Sequence, residues 1–416
     1  MIQSHDGEEV TPSSSRSVPW AAFVLVVIGL CAGCGAGNGV SNDWFYHWSC
    51  NGDSECLATN PTGAPSGTRD EGPNESSCTE LLTFAQHFWG PAATNSCDHF
   101  PGGGGGAGGG GTGGTGGGGT GGCGGGGSWS TVASMPTARE DLAAGASGNV
   151  VYALGGQNST VLATNEAYDS VANTWSGKAP LPVQRKDFGV GVVNGIVYVV
   201  GGVSDPSGTT CVTELDAYDP ASNSWSTKAP LPTARDGLQV AVANGILYAI
   251  GGTPCVSPAQ WLKTVEAYDP STNSWSTKAQ TPTGHDFGAA VGLNGVIYLL
   301  GGTVASTTVP TTTLEAYDPS TNSWSTKAAA PTARMFHGAA AANGLVYAIG
   351  GTTDGGVTFV TSVDAYNPAT DSWSAQPCMK QARVRFGAAA VASGGIVAIG
   401  GTGAPSGILS STELLH

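Results

Sequence analysis

A glycine doublet and a tryptophan each recur six times across residues 128–416 at spacings of 46 to 50 residues, and Asn-Gly and Asp-Pro turns separate the short apolar runs between them. These observations predict an all-β chain: a six-bladed β-propeller of four-stranded antiparallel blades, because a fixed period of this length with strand-type runs inside each unit marks stacked sheets. Composition points the same way. With 66 Gly, 11 Trp and 11% charged residues, tight turns and short strands are favoured over long amphipathic helices.

One unit shows the pattern. Phe188 to Val193 is a short apolar run, Asn194-Gly195 is the dipeptide best suited to a type I′ hairpin, and Ile196 to Val200 is a second run ending at Gly201-Gly202. These are strands a and b. Asn-Gly stands again at 244–245, 294–295 and 343–344, with Gly148-Asn149 and Gly394-Gly395 in the first and last units. Strand c carries Glu-Ala-Tyr-Asp or a close variant, as at 166–169 and 216–219, and strand d carries Asn-Ser-Trp-Ser-Thr-Lys, as at 223–228. Asp-Pro between c and d presets a turn, so the recurring acids read as turn residues and not as paired catalytic carboxylates.

A Gly-Gly doublet, then a Tyr in strand c and a Trp in strand d, resembles the Kelch repeat, and the resemblance spans about 128–416. It implies a propeller with strand a nearest the axis, glycines that let backbones crowd together, and each Trp packed between neighbouring blades. The last unit departs from the pattern, with Leu415 where Tyr is expected. The region begins on a strand d marker, Trp129, and ends on a strand c, Ser411 to His416. Closure by pairing these two removes an open sheet edge, so an N-terminal strand d is predicted to complete the sixth blade.

The N-terminal third divides differently. Trp20 to Ala32 is an apolar run of 13 residues after Arg16, too short to span a bilayer, so residues 1–34 read as an export signal. Leu30-Cys31-Ala32-Gly33-Cys34 resembles a bacterial lipobox, which makes Cys34 a lipid-anchor candidate and an outer-membrane, periplasmic or extracellular location the expectation. Residues 35–100 form a small segment with Cys50, Cys56, Cys78 and Cys97, read as two disulfides with the pairing open. Residues 101–127 are almost pure glycine and read as a linker. Cys123 within it has no evident partner from sequence.

Charge bounds the partners. Of a net −15, residues 1–127 hold two basic and eleven acidic side chains, and residues 128–416 hold thirteen and nineteen. A negative surface opposes phosphate neutralisation, so nucleic acid is not expected, and the membrane is expected only through a lipid anchor. No metal-ligand spacing, cofactor motif or catalytic constellation stands out.

Function is expected where the b–c and d–a loops share a face. The d–a connections repeat an arginine, giving Arg139, Arg185, Arg235, Arg334 and Arg383, with His285 in the fourth unit. These six are candidates to ring the channel mouth and bind a carboxylate ligand, or else to pair with local acids such as Asp141, Asp187 or Asp236. Cys211 and Cys255 fall in b–c loops of adjacent blades and are a further disulfide candidate. The leading expectation is a non-catalytic module that binds a protein or glycan on this loop face. The alternative that the resemblance implies is a sugar-modifying enzyme similar to Kelch-type sialic-acid mutarotases.

Overall fold

The structure is a computed structural model that describes residues 34–35, 46–50, 54–58, 123–124, 126–255, 260–304, 309–404 and 407–416. The chain divides into two units, Met1–Gly113 and Gly114–His416. In the first, the strands Cys34–Gly35, Tyr46–Cys50 and Ser54–Ala58 form an antiparallel sheet. Nearly all of the export signal and of the glycine linker, with Cys78 and Cys97, lies outside the described residues, and of Cys34, Cys50 and Cys56 only the strand positions are described, so the lipid anchor and the bridges expected in this segment are not tested.

The second unit is all-β and holds six four-stranded antiparallel sheets. In blade 2 the order is Gly189–Val193 (a), Ile196–Val200 (b), Leu215–Asp219 (c) and Ser224–Thr227 (d), each strand paired with the next in the chain. The a–b hairpin turns on Asn194 at φ 52° and Gly195 at φ 83°, the left-handed pair that a type I′ turn requires. At the c–d turn the Asp219 carboxylate accepts the amide of Ala221 at 2.8 Å, and Asp269 and Asp318 repeat this bond. The reading of these aspartates as turn residues therefore holds.

Strands b and c form the core of each blade, since both faces of a central sheet are covered by the neighbouring blades. Val197, Val199 and Tyr218 of blade 2 pack with Tyr152, Leu154 and Ala167 of blade 1 in one apolar cluster. The outer edge is stitched by strand d. The Trp225 indole donates to the Ala179 carbonyl of the preceding blade at 2.8 Å, and the other five repeat tryptophans make the same bond. Near the axis, the amide of the second glycine in each doublet donates to the carbonyl of the Arg or His of the next blade, as Gly202 does to Arg235 at 3.0 Å. Strands a come so close that a Cβ on Gly189 would meet Val240 Cγ2 at 2.0 Å, which is why glycine stands there.

The ring closes as the sequence predicts. Trp129–Val132 pairs antiparallel with Thr412–Leu415, Trp129 opposite Leu415, and becomes strand d of blade 6. Leu415 thus occupies the place that Tyr218 takes against Trp225. Cys123, without a partner from sequence, bridges to Cys378 with their Cα atoms 5.1 Å apart, and the Gly124 amide donates to Gln376 O at 3.1 Å. Contacts with the ring therefore begin before residue 128.

One inter-blade position breaks the apolar rule. Three residues after each repeat Arg or His stand Leu142, Phe188, Leu238, Gly288, His337 and Phe386. His337 is buried with neither ring nitrogen hydrogen-bonded, and burial, with the Arg334 charge, pushes its pKa down to about 3.

Two outcomes follow from this architecture. Deleting residues 128–134 lowers the melting temperature of the entire ring, because blade 6 loses its outer strand; a truncated chain melting with the intact one would refute closure. His337→Phe, the residue of blades 2 and 6, raises unfolding stability by about 1 to 3 kcal/mol in denaturant titrations, the usual cost of an unsatisfied buried polar group.

Candidate functional site: the channel mouth

The six arginine and histidine candidates are framework, and the expectation that they face the mouth is corrected by their burial. Arg139, Arg185, Arg235, His285 and Arg383 are 0% exposed and Arg334 is 1% exposed. Each pairs with the acid of its own strand c: Arg139–Glu166 at 2.5 Å, Arg185–Asp216 at 2.5 Å, Arg235–Glu266 at 2.6 Å, His285–Glu315 at 2.9 Å, Arg334–Asp364 at 2.5 Å and Arg383–Glu413 at 2.7 Å. The local acids named as partners from sequence, Asp141, Asp187 and Asp236, make none of these pairs.

The guanidinium groups bind carbonyls as well. Arg139 donates to Ala153 O at 2.9 Å and Arg235 to Ala249 O at 3.0 Å, so one side chain ties the d–a connection to strands b and c. Burial lowers the arginine pKa values, and the facing carboxylate opposes that shift. The first acid of Glu-Ala-Tyr-Asp is thus an ion-pair partner, and only the last acid serves the turn.

Two positions beyond each of these residues the backbone is left-handed: Asp141 at φ 52°, Asp187 at 53°, Gly237 at 59°, Phe287 at 49°, Phe336 at 52° and Arg385 at 56°. Strained positions of this kind on bulky residues cost of order 1 to 3 kcal/mol each and cluster at functional sites. A belt of backbone hydrogen bonds holds them. Asp141 N donates to Arg385 O, Gly237 N to Asp187 O, Phe336 N to Phe287 O and Arg385 N to Phe336 O at 2.9 to 3.0 Å, and Asp187 N to Asp141 O at 3.4 Å. Between blades 3 and 4 the belt is interrupted, because the Phe287 amide donates to its own neighbour, Asp286 Oδ1, at 3.0 Å.

The side chains on and beside this belt form a chain of contacts from blade to blade. The Phe287 and Phe336 rings lie 4.5 Å apart, the Arg385 guanidinium sits 4.3 Å above Phe336, and its Nη1 is 3.7 Å from Asp141 Oδ1. Gln157 Nε2 donates to Asp141 Oδ2 at 2.7 Å, and Asp187 lies within hydrogen-bonding reach of Asp141. Asp236 and Asp286, one position earlier in their blades, continue the acidic arc, and Thr253 Oγ1 donates to Asp286 at 3.3 Å.

Burial raises all four carboxyl groups: Asp141 to about 7, with the nearby Asp187 charge adding to the effect, Asp286 well above the usual carboxylate range, and Asp187 and Asp236 upward. Arg385 and Lys186 oppose the shift at Asp141 and Asp187. The belt is therefore two-sided, with four acids in blades 1–4, of which Asp141 and Asp286 are buried and Asp187 and Asp236 partly exposed, and an Arg-capped pair of aromatic rings in blades 4–6.

Cys211 and Cys255 form the inter-blade bridge with Cα atoms 5.5 Å apart, tying the b–c loops of blades 2 and 3. Among the described residues, Cys211, Asp236 and Cys255 bring three ligand-type atoms within 4.8 Å of one another, but the two sulfurs are bonded to each other.

The two rings of charge separate in their response to mutation. Arg235→Ala leaves Glu266 buried and unpaired and lowers stability by about 3 to 5 kcal/mol, whereas Asp187→Asn at the mouth leaves stability unchanged or raises it, because burial and like charge already oppose its ionisation. Chemical denaturation of both variants checks this, and equal losses would place Asp187 in the framework.

The KLHDC2/KLHL20/DRC7 Kelch-repeats domain matches residues 127–302 and 190–401. No curated protein matches the chain. Among solved structures, one described as "Structure of YjhT" is similar at a TM-score of 0.58 and 19% identity over 68% of this chain and 95% of that one, a likeness of fold. With the family match running from residue 127 to residue 401 and the doublet, tyrosine and tryptophan in their repeat positions, the chain belongs to the Kelch-repeat family.

Proposed function

We propose that the propeller is a binding module whose partner docks at the channel mouth, and that this partner is a protein segment presenting a basic group beside an apolar one. One observation carries the reading. Around the ring the arginines, tyrosines, tryptophans and glycine doublets repeat, yet the belt position reads Asp, Asp, Gly, Phe, Phe, Arg. A position that the fold leaves free to vary, that bears backbone strain and that points two chemistries at one opening is where recognition is placed.

The partly exposed carboxyl groups of Asp187 and Asp236 offer a site to a cation, and the Phe287–Phe336 pair offers it an apolar neighbour. The b–c loops support the same partner, because Val309 at 67% exposed, Val357 at 83% and Ile408 at 39% stand on three consecutive blades, 4 to 6, on the aromatic side of the mouth. Export with lipid anchoring at Cys34 belongs to the proposal, and the two bridges Cys123–Cys378 and Cys211–Cys255 support an oxidising compartment.

A second reading has its own observation. Asp141, raised to about 7 and within hydrogen-bonding reach of Asp187, can hold a proton at neutral pH and pass it on, as a sugar-modifying enzyme would need.

Calorimetric titration of the full chain with peptides carrying Lys or Arg beside an apolar residue tests the module. Affinity is expected to drop at least about tenfold, roughly 1.4 kcal/mol, in Asp187→Asn and in Phe336→Ala. It also falls on acidification through about pH 7, as Asp141 gains a proton and the arc loses negative charge. Binding indifferent to both substitutions would remove the mouth as the site, and chemical turnover of a bound sugar would favour the enzyme.

A further inference from the structure

Three segments converge at the junction of blades 2 and 3. The b–c loop of blade 2 brings Cys211, the d–a connection into blade 3 brings Asp236, and the b–c loop of blade 3 brings Cys255. Backbone pairing fixes their approach: Cys211 bridges to Val203, and Asp236 N and O bond Thr253 O and N at 3.0 and 2.9 Å, two residues before Cys255. The two sulfurs and one Asp236 carboxylate oxygen all lie within 4.8 Å of one another, and Cys211 Sγ is 3.9 Å from Thr253 O. Among the described residues no other group of three His, Cys, Asp or Glu donors comes so close, and the Cys123–Cys378 bridge has no carboxylate within that distance.

The donor set selects the ion. Two thiolates and one carboxylate suit a borderline-soft dication, zinc above all, whereas calcium and magnesium take oxygen ligands. A tetrahedral zinc ion bound at about 2.3 Å to sulfur and about 2.0 to 2.2 Å to oxygen holds such donors roughly 3.5 to 3.8 Å from one another. Once the sulfurs are parted, little further movement brings these three into that spacing. The fourth position falls to water, as in open zinc sites. The bridge itself bars the ion, because the thiolate is the metal ligand and a bonded sulfur is not one.

We propose that Cys211, Asp236 and Cys255 form a zinc site in the dithiol form of the chain, and that the disulfide is its closed state. All three residues are partly exposed, so a dithiol reductant reaches the bridge. Its thiolate attacks one cysteine sulfur and the other sulfur leaves; the reductant's second thiolate then displaces the first cysteine, leaving two cysteine thiols and a cyclic disulfide. Zinc takes both sulfurs as thiolates, and the two protons pass to water. The ion then ties the b–c loops of blades 2 and 3, as the covalent bond does in the closed state.

Zinc titration of the full chain tests the site, after reduction by a phosphine so that no added thiol competes for the metal. Calorimetry is expected to find one more zinc ion per chain in the reduced parent than in reduced Cys211→Ser/Cys255→Ser, a comparison that subtracts the other cysteines. Zinc is also expected to slow alkylation of Cys211 and Cys255, read by peptide mass mapping. Asp236→Asn keeps both cysteines, and its folding is checked in the oxidised form. It is expected to weaken binding of this zinc ion by at least about tenfold, the loss that even an outer-shell partner causes. Equal zinc uptake by the parent and the double serine variant would overturn the site. So would unchanged affinity in Asp236→Asn, which would leave two thiols binding metal without the carboxylate.

Discussion

Each blade depends on one buried contact, the pairing of a d–a side chain with the first acid of strand c. The Arg235–Glu266 pair at 2.6 Å, with Arg235 also bound to Ala249 O, fixes where the incoming chain crosses strands b and c. Two residues later the backbone must turn left-handed to enter strand a, and the belt position is set. A carboxylate and a guanidinium removed from water at this depth are costly singly and tolerated as a pair, so the contact is specified by its geometry more than by net stabilisation.

That repetition frees the mouth to differ. Because the framework pair, the Gly-Gly amide bond and the tryptophan bond recur around the ring, the belt side chains carry little of the folding load. The acidic arc pays for its placement in electrostatic strain, visible in the upward shift of four neighbouring carboxyl groups. The interruption at Phe287, where Asp286 takes the amide, marks the boundary between the two halves. Stability in this protein comes from what the blades share, and recognition is proposed to come from what they do not.

The strand order, the turns and the closure could be read without coordinates, since Asn-Gly, Asp-Pro, the doublets and the unmatched Trp129 act locally or by simple count. The mouth could not be read so directly. A signal for it was present in the dipeptides after each repeat Arg or His: Glu-Asp, Lys-Asp, Asp-Gly, Asp-Phe, Met-Phe and Val-Arg break an otherwise regular unit. Repetition drew attention to the arginines instead, and repetition in a propeller marks packing. Cys123 illustrates a different limit, because a partner 255 residues away leaves no trace in local spacing.

The amino-acid sequence by itself determined the number of blades, their strand order and the way the ring is sealed, because turn residues act within a few positions and six copies of one pattern admit one cyclic arrangement. The three-dimensional packing decided which charges are sealed into ion pairs within a blade and which sit on the belt that links the blades. Arg185 and Asp187 are two residues apart and chemically complementary, yet the left-handed step between them sends one into the blade against Asp216 and the other to the mouth beside Asp141. Such a choice depends on burial and on partners brought from distant strands, and neither exists until the blades close around their axis.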